Sequence, residues 1–198
     1  MDVLEAMHTC RAMRYLRSDP VPHELIVTVL EAAICAPSPG NSQGWDFVVV
    51  RDRATLDALA AVMRPAIQAV LPPIPEQGDA TRRRMLAGAH HLVESIEKVP
   101  AWIFVCGRPV YPPGAPTEGW IWPAVYPAAQ NILLAARALG LGATFTTYHM
   151  LAEAGVRSIL SIPAEARIAV SIPLGWPEKP FGPVRRRPLE EFVHWDRW

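Results

Sequence analysis

The chain has 198 residues, enough for one domain with a substantial core, and its nineteen basic and nineteen acidic residues cancel. A neutral chain has no electrostatic grip on nucleic acid or on an anionic membrane, and Gln130, Asn131 and Arg137 interrupt the longest apolar run before it reaches spanning length. Hydrophobic residues make up 51% and seven residues are Trp, an excess that is easiest to bury in a subunit interface.

In chain order, the first regular element predicted is a helix over 23–36, with Leu25, Ile26, Val29, Leu30, Ala33 and Ile34 recurring on one face. Pro37 and Pro39 end it. Residues 47–51 read as a short buried strand, and 53–62 as a helix that turns Leu56, Leu59 and Ala60 inward. The run Leu71-Pro-Pro-Ile-Pro75 excludes regular helix and predicts a mobile loop. Asp79 is suited to cap a helix running to about Lys98, with Met85, Leu86, Ala89, Leu92, Val93 and Ile96 on its apolar side. Residues 101–106 form a β-rich central strand, and four prolines make 108–118 a surface connection or lid. A helix over 123–139 is apolar nearly all round, so it must be buried on most sides, and Gly140 caps it. Strands at 143–147 and 167–174 then flank a helix at 151–160. With no internal repeat, one domain over 1–198 is expected.

Three groups of residues carry chemical interest. Ser38, Asn41 and Gln43 place a hydroxyl and two amides on a short, proline-stiffened loop, which suits a polar, uncharged heteroaromatic edge such as a flavin's pyrimidine ring, or an ordinary capped loop. Arg11 and Arg14 are three residues apart and on a helix would project to one side; Arg185, Arg186 and Arg187 lie at the other end of the chain. The two clusters could converge on one phosphate or remain two solvated patches. Thr144, Thr146 and Thr147 follow Gly142, where β-branched residues also simply suit a strand. Gly140-Leu-Gly142 follows a helix and precedes a strand, the reverse of a dinucleotide fingerprint, so no Rossmann domain is expected. There is no GxSxG, HExxH or Walker motif and no metal-ligand spacing. Cys10, Cys35 and Cys106 read as reduced core thiols of a cytoplasmic protein, and the acidic start Met-Asp-Val-Leu-Glu-Ala is no signal peptide.

These segments resemble the nitroreductase family of FMN flavoproteins. The signature Ala-Pro-Ser-x-x-Asn-x-Gln-x-Trp-x-Phe lies at 36–47. In register with it are Arg11-Ala-Met-Arg14 with Pro20-Val21, then Ala128-Ala-Gln-Asn131 through Leu139-Gly-Leu-Gly142. Ile172-Pro-Leu-Gly-Trp-Pro177 follows, and last comes Arg185-Arg-Arg-Pro-Leu-Glu-Glu-Phe-Val-His-Trp195. The likeness weakens only at about 63–80 and 108–120.

The resemblance implies an α+β nitroreductase-like fold, a small, mainly antiparallel sheet wrapped by helices, in an intertwined homodimer with two FMN sites at the interface. It implies non-covalent FMN held by Arg11, Ala12, Arg14, Pro37, Ser38, Asn41, Gln43, Thr146, Thr147, Arg185 and Arg186, with Arg11, Arg14 and Arg186 at the phosphate. NAD(P)H would be the reductant and a nitroaromatic, quinone or other electron-poor compound the acceptor, in ping-pong order. No side chain need act as nucleophile; Thr147 and His149 are the candidates nearest the flavin. Cys10 and Ala12 stand where many members carry a basic residue and Ser, and Phe145, Thr147 and Tyr148 stand where many have Pro, Glu and Gly. Segments 63–80 and 108–120 would cover the flavin face. Phe192, Trp195 and Trp198, at helical three-residue spacing, would anchor a tail wrapped round the partner. The same fold also serves flavin cleavage, dehalogenation and azoline oxidation, and a non-catalytic flavin- or deazaflavin-binding protein is a further alternative.

Overall fold

A computed structural model describes residues 1–198. Four strands form one antiparallel sheet in the order β1-β2-β4-β3, with β1 at Trp45–Val50, β2 at Ala101–Gly107, β3 at Gly142–Ala143 and β4 at Arg167–Gly175. The register runs from Trp45 opposite Gly107 to Val50 opposite Trp102, and Ala101 faces Leu174. Helices cover both faces, which is the expected α+β class.

Strand β2 explains why the covering is two-sided. Its sequence, Ala-Trp-Ile-Phe-Val-Cys-Gly, has no polar alternation, and all seven residues are buried. Ala101, Ile103 and Val105 enter a core shared with α2 (His23–Ala33) and α5 (Trp122–Ala138). Trp102, Phe104 and Cys106 enter a second core with α3 (Arg53–Gln68), α4 (Ala80–Glu94) and α6 (Glu153–Leu160). Each fully buried Ile or Leu in these cores contributes about 1.5–3 kcal/mol of transfer free energy. Helix α5 presents Ala124, Ala128, Ala129 and Ala136 to its neighbours, small residues that let α2 approach closely. Asn131 Nδ2 donates to the Ala32 carbonyl at 3.0 Å and fixes that contact.

The boundaries differ from the sequence reading where local hydrogen bonds intervene. Helix α2 stops at Ala33 because Pro37 excludes helical geometry at Ala36, and the N–H groups of Cys35 and Ala36 close tight turns onto Ala32 and Ala33. Helix α3 continues to Gln68, with Pro65 in its last turn and Met63 and Ile67 buried, so the family-variable segment begins as regular helix. Asp79 caps α4 as expected, accepting from Thr81 and Arg82. The helix ends at Glu94, where Ser95 Oγ donates to the His91 carbonyl, and a separate turn follows at Ile96–Lys98.

Three corrections are larger. A helix capped by Asp2, α1 (Val3–Thr9), ends before Arg11, so Arg11 and Arg14 share no helix face. The chain from 10 to 17 is bound to the sheet edge instead, with the Met13 N–H donating to Ala143 and the Arg17 N–H to Trp176. The expected strand 143–147 contracts to Gly142–Ala143 plus one isolated pairing of Thr146 with Ser171, where the Thr146 hydroxyl competes for the Ser171 carbonyl. The tail has one tight turn at Leu189–Glu191 and no helix beyond it; Trp195 and Trp198 are 86% and 102% exposed, and Trp198 meets the ring of His194 from the tail itself. No helix is long and apolar enough to cross a membrane.

Candidate functional site

The loop after α2 is closed by its own polar groups. The Asn41 N–H donates to the Ser38 carbonyl (2.9 Å), and the Gln43 N–H donates to the Ser38 hydroxyl (3.1 Å). Gly40, Asn41 and Gln43 all have positive φ, at 58°, 50° and 50°. Gly and Asn tolerate this region; Gln does so at about 1–2 kcal/mol. A strained residue held by its surroundings in an exposed loop points to a binding role. Ser38 is half-buried, whereas Pro37, Asn41 and Gln43 are exposed.

The proline-rich stretch 108–120 is strapped to this loop. Arg108 donates its N–H to the Gly44 carbonyl at 2.7 Å and pairs with Asp46 at 2.6 Å. Tyr111 lies over Gly40, where any Cβ would meet its ring, and meets Trp120 edge-on at 5.5 Å. Sequence reasoning missed Tyr111, because nothing local marks it as the roof of a glycine 71 positions earlier.

A second cluster forms where the chain ends meet. The Val184 N–H donates to the His8 carbonyl at 2.9 Å, and Arg11 lies beside Gly182. A Cβ on Gly182 would come within 3.3 Å of Arg11 Nη1. Arg137 donates to Thr9 and covers the Phe181 ring at 4.1 Å. Arg14 packs over Gly88 of α4 and is close enough to Tyr148 to act on its titration. Six arginines are held by carboxylates: Arg17, Arg64, Arg108, Arg157, Arg167 and Arg187. Arg11, Arg14, Arg185 and Arg186 belong to no such pair, and all four lie at or next to the place where the chain ends meet. Arg186 instead donates to the Arg185 carbonyl. Ala12 is exposed between the first two.

Beside this corner runs the threonine segment. Thr147 is exposed, Thr146 is buried, and Thr144 Oγ1 is a buried hydroxyl with no partner. His149, expected near the flavin, is fully buried with both ring nitrogens engaged, Nε2 with the Ile168 carbonyl (3.0 Å) and Nδ1 with Ser171 Oγ (3.2 Å). Burial lowers its pKa against the opposing Ile168 hydrogen bond, so the ring is neutral, with Nε2 carrying the proton. It cannot reach a ligand from there. Burial raises the Tyr148 phenol and pushes the Cys106 thiol up to about 11, so both stay protonated at neutral pH.

The two clusters lie at opposite corners of the sheet. The loop adjoins Trp45 on edge strand β1, at the Gly107 end, while Met13 is bonded to Ala143 on edge strand β3, at the Leu174 end. Three strand spacings of about 4.8 Å and six residues of about 3.4 Å separate these anchors by roughly 25 Å. That exceeds the length of an FMN molecule. Each cluster separately has suitable chemistry, free guanidinium groups for a phosphate and a hydroxyl with amides for a pyrimidine edge.

Comparison with known proteins agrees with this architecture. Residues 8–176 match the model of the Nitroreductase family. A protein of Methanothermobacter thermautotrophicus, provisionally named an NADH dehydrogenase/NAD(P)H nitroreductase, is 33% identical over 207 residues, covering 100% of this chain and 88% of that one. The 5,6-dimethylbenzimidazole synthase of Rhodospirillum rubrum is 29% identical over 184 residues, covering 90% and 83% of the two chains. A nitroreductase-like protein of Desulfovibrio desulfuricans, solved in complex with FMN, is 28% identical with a TM-score of 0.75 and covers 100% of this chain and 98% of its own. The chain belongs to the nitroreductase family.

Proposed function

We propose that the protein is an FMN-dependent NAD(P)H oxidoreductase that works as a homodimer in the cytoplasm. The observation that carries this reading is the cluster of carboxylate-free arginines at one sheet corner opposite a strained hydroxyl-and-amide loop at the other. When bound, FMN supplies the hydride chemistry, accepting from NAD(P)H and donating in a ping-pong cycle to a nitroaromatic, quinone or similar acceptor.

The chain's own residues have positioning roles. Arg11, Arg14 and Arg186 hold the phosphate through charge-assisted bonds, with Arg185 beside them. Ser38, with its hydroxyl proton free to donate, acts with the amides of Asn41 and Gln43 at the pyrimidine edge, while Pro37 stiffens the loop. Thr146 and Thr147 approach the ring from the arginine side. Since the backbone anchors of the loop and of the arginine corner lie roughly 25 Å apart in one chain, each pocket takes its loop from one subunit and its arginines from the other.

Two surfaces favour that assembly. A groove of about 530 Å³ runs along the unpaired edge of β1, lined by Ile26, Leu30, Val48, Val49, Val50 and Ile159. Leu189, Phe192, Trp195 and Trp198 are exposed on the tail, where only Arg187 lies over Phe192 and His194 beside Trp198. An extended tail laid on an open strand edge would bury both.

The test is the purified protein itself. It is expected to be yellow, to release FMN on denaturation, and to oxidise NAD(P)H with menadione or a nitrofuran, giving parallel double-reciprocal lines. A colourless protein that takes up no FMN would refute the reading.

A further inference from the structure

Thr146 belongs to a buried polar chain whose other members, Ser171 and His149, take no part in the roles above. The Thr146 N–H donates to the Ser171 carbonyl (3.1 Å) and the Ser171 N–H to the Thr146 carbonyl (2.9 Å). The Thr146 hydroxyl donates to the same Ser171 carbonyl at 2.7 Å. Ser171 Oγ lies 2.8 Å from Thr146 Oγ1 and 3.2 Å from His149 Nδ1, and His149 Nε2 donates to the Ile168 carbonyl.

The proton count makes Ser171 the node. A carbonyl only accepts, so His149 Nε2 carries the ring proton and Nδ1 has a lone pair. The Thr146 proton is committed to the Ser171 carbonyl. The single Ser171 hydroxyl proton therefore has three acceptors within reach, Thr146 Oγ1 (2.8 Å), His149 Nδ1 (3.2 Å) and the Thr146 carbonyl (3.4 Å), and all three belong to residues 146 and 149. Residues 146 and 149 are pinned to β4 three positions apart, and the two residues between them, Thr147 and Tyr148, are held as a short span. Thr147 is the exposed member, next to the Arg14 corner through Tyr148. A site residue on rigid support keeps its geometry within a fraction of an ångström, and buried networks of this kind specify one arrangement.

We propose that the His149–Ser171–Thr146 chain is a positioning clamp that fixes Thr147 against the flavin and thereby sets the relative affinity for reduced and oxidised FMN. The inference rests on the FMN reading above. Thr147 itself would be the contact, and His149 acts only through Ser171 and Thr146.

Ser171→Ala removes the node while leaving every arginine and the Ser38 loop intact. The holoenzyme variant is expected to retain FMN but to lose about tenfold in preference for the reduced form, which for a two-electron couple lowers the midpoint potential by about 30 mV. His149→Gln, whose amide nitrogen can replace Nε2 at the Ile168 carbonyl, is expected to hold the potential nearer the wild-type value and covers the case of a poorly folding Ser171→Ala. Val29→Ala, a buried α2 position in the core on the other face of the sheet, serves as a control for destabilisation alone. Hydrogen exchange of the Thr147 and Tyr148 amides in the flavin-free chain is expected to quicken in Ser171→Ala and not in Val29→Ala. Unchanged potential in folded variants, or an equal shift in the control, would overturn the proposal. If the wild-type chain takes up no flavin, the FMN reading fails and the role of the clamp falls with it, while the exchange measurement still reports whether the clamp exists.

Discussion

Gly40 is the residue on which the Ser38–Gln43 loop turns, and Gly40→Ala is the sharpest perturbation of it. At φ 58° an alanine incurs about 1–2 kcal/mol of left-handed strain. Losing glycine's unfolded-state freedom offsets about 0.5–1 kcal/mol of that. The new Cβ would also sit 2.9 Å from Tyr111 Cδ2 and closer still to Cε2, so the ring must leave its edge-on contact with Trp120, costing about 0.5–1.5 kcal/mol more. The sum is a destabilisation of about 2 kcal/mol, or a fall in Tm of roughly 4–8 °C for a chain of this size. Guanidinium denaturation of the flavin-free protein, at one fixed protein concentration, measures it. In a Tyr111→Ala background only the backbone strain remains, so the same substitution should cost about 0.5–1.5 kcal/mol less. An equal cost in both backgrounds would show that Tyr111 does not roof Gly40, and unchanged FMN affinity in Gly40→Ala would remove the loop from the cofactor site.

Three further outcomes are expected. Arg186→Ala should weaken FMN binding about ten- to a hundredfold by equilibrium titration, and Arg185→Ala by less; negligible losses in both would leave the triplet a solvated patch. Deleting 189–198 should both lower the sedimentation coefficient to that of a monomer and reduce the flavin-to-protein absorbance ratio, and a truncated chain that stays dimeric and fully yellow would refute the tail model. Because burial depresses the His149 pKa, the unfolded chain binds a proton below about pH 6.5 that the folded chain refuses, so stability should fall from pH 7 toward pH 5.5 by no more than about 1.4 kcal/mol per pH unit. His149→Gln should flatten that fall in pH-resolved denaturation, and a variant as steep as wild type would assign it to other groups.

What could be read from the sequence was what short-range physics decides. The apolar run of β2 announced a central strand, Asp79 announced its helix, and Pro37 with Pro39 announced the loop. Arg11 and Arg14 could not be placed this way, because their geometry is set by backbone bonds from Met13 and Arg17 to residues far along the chain. The spacing of Phe192, Trp195 and Trp198 imitates a helix, yet no surface of the same chain stabilises one. His149 follows the threonine segment closely enough to look exposed to chemistry; only the return of β4 shows it to be a core residue. Gln43 carries no local sign of its positive φ, since the turn is imposed by Ser38 five residues earlier.

The placement of loop and arginines at opposite corners has a genetic consequence. In the two-copy assembly proposed above, an allele lacking Ser38 and Asn41 and another lacking Arg11 and Arg14 would each specify inactive homodimers, since every pocket is missing one half. Expressed together, they form hybrids in which both lesions fall in one pocket and the other is whole. Random pairing then restores about a quarter of all pockets from two inactive parents. An enzyme whose pocket closed within a single chain would stay inactive however the alleles were mixed.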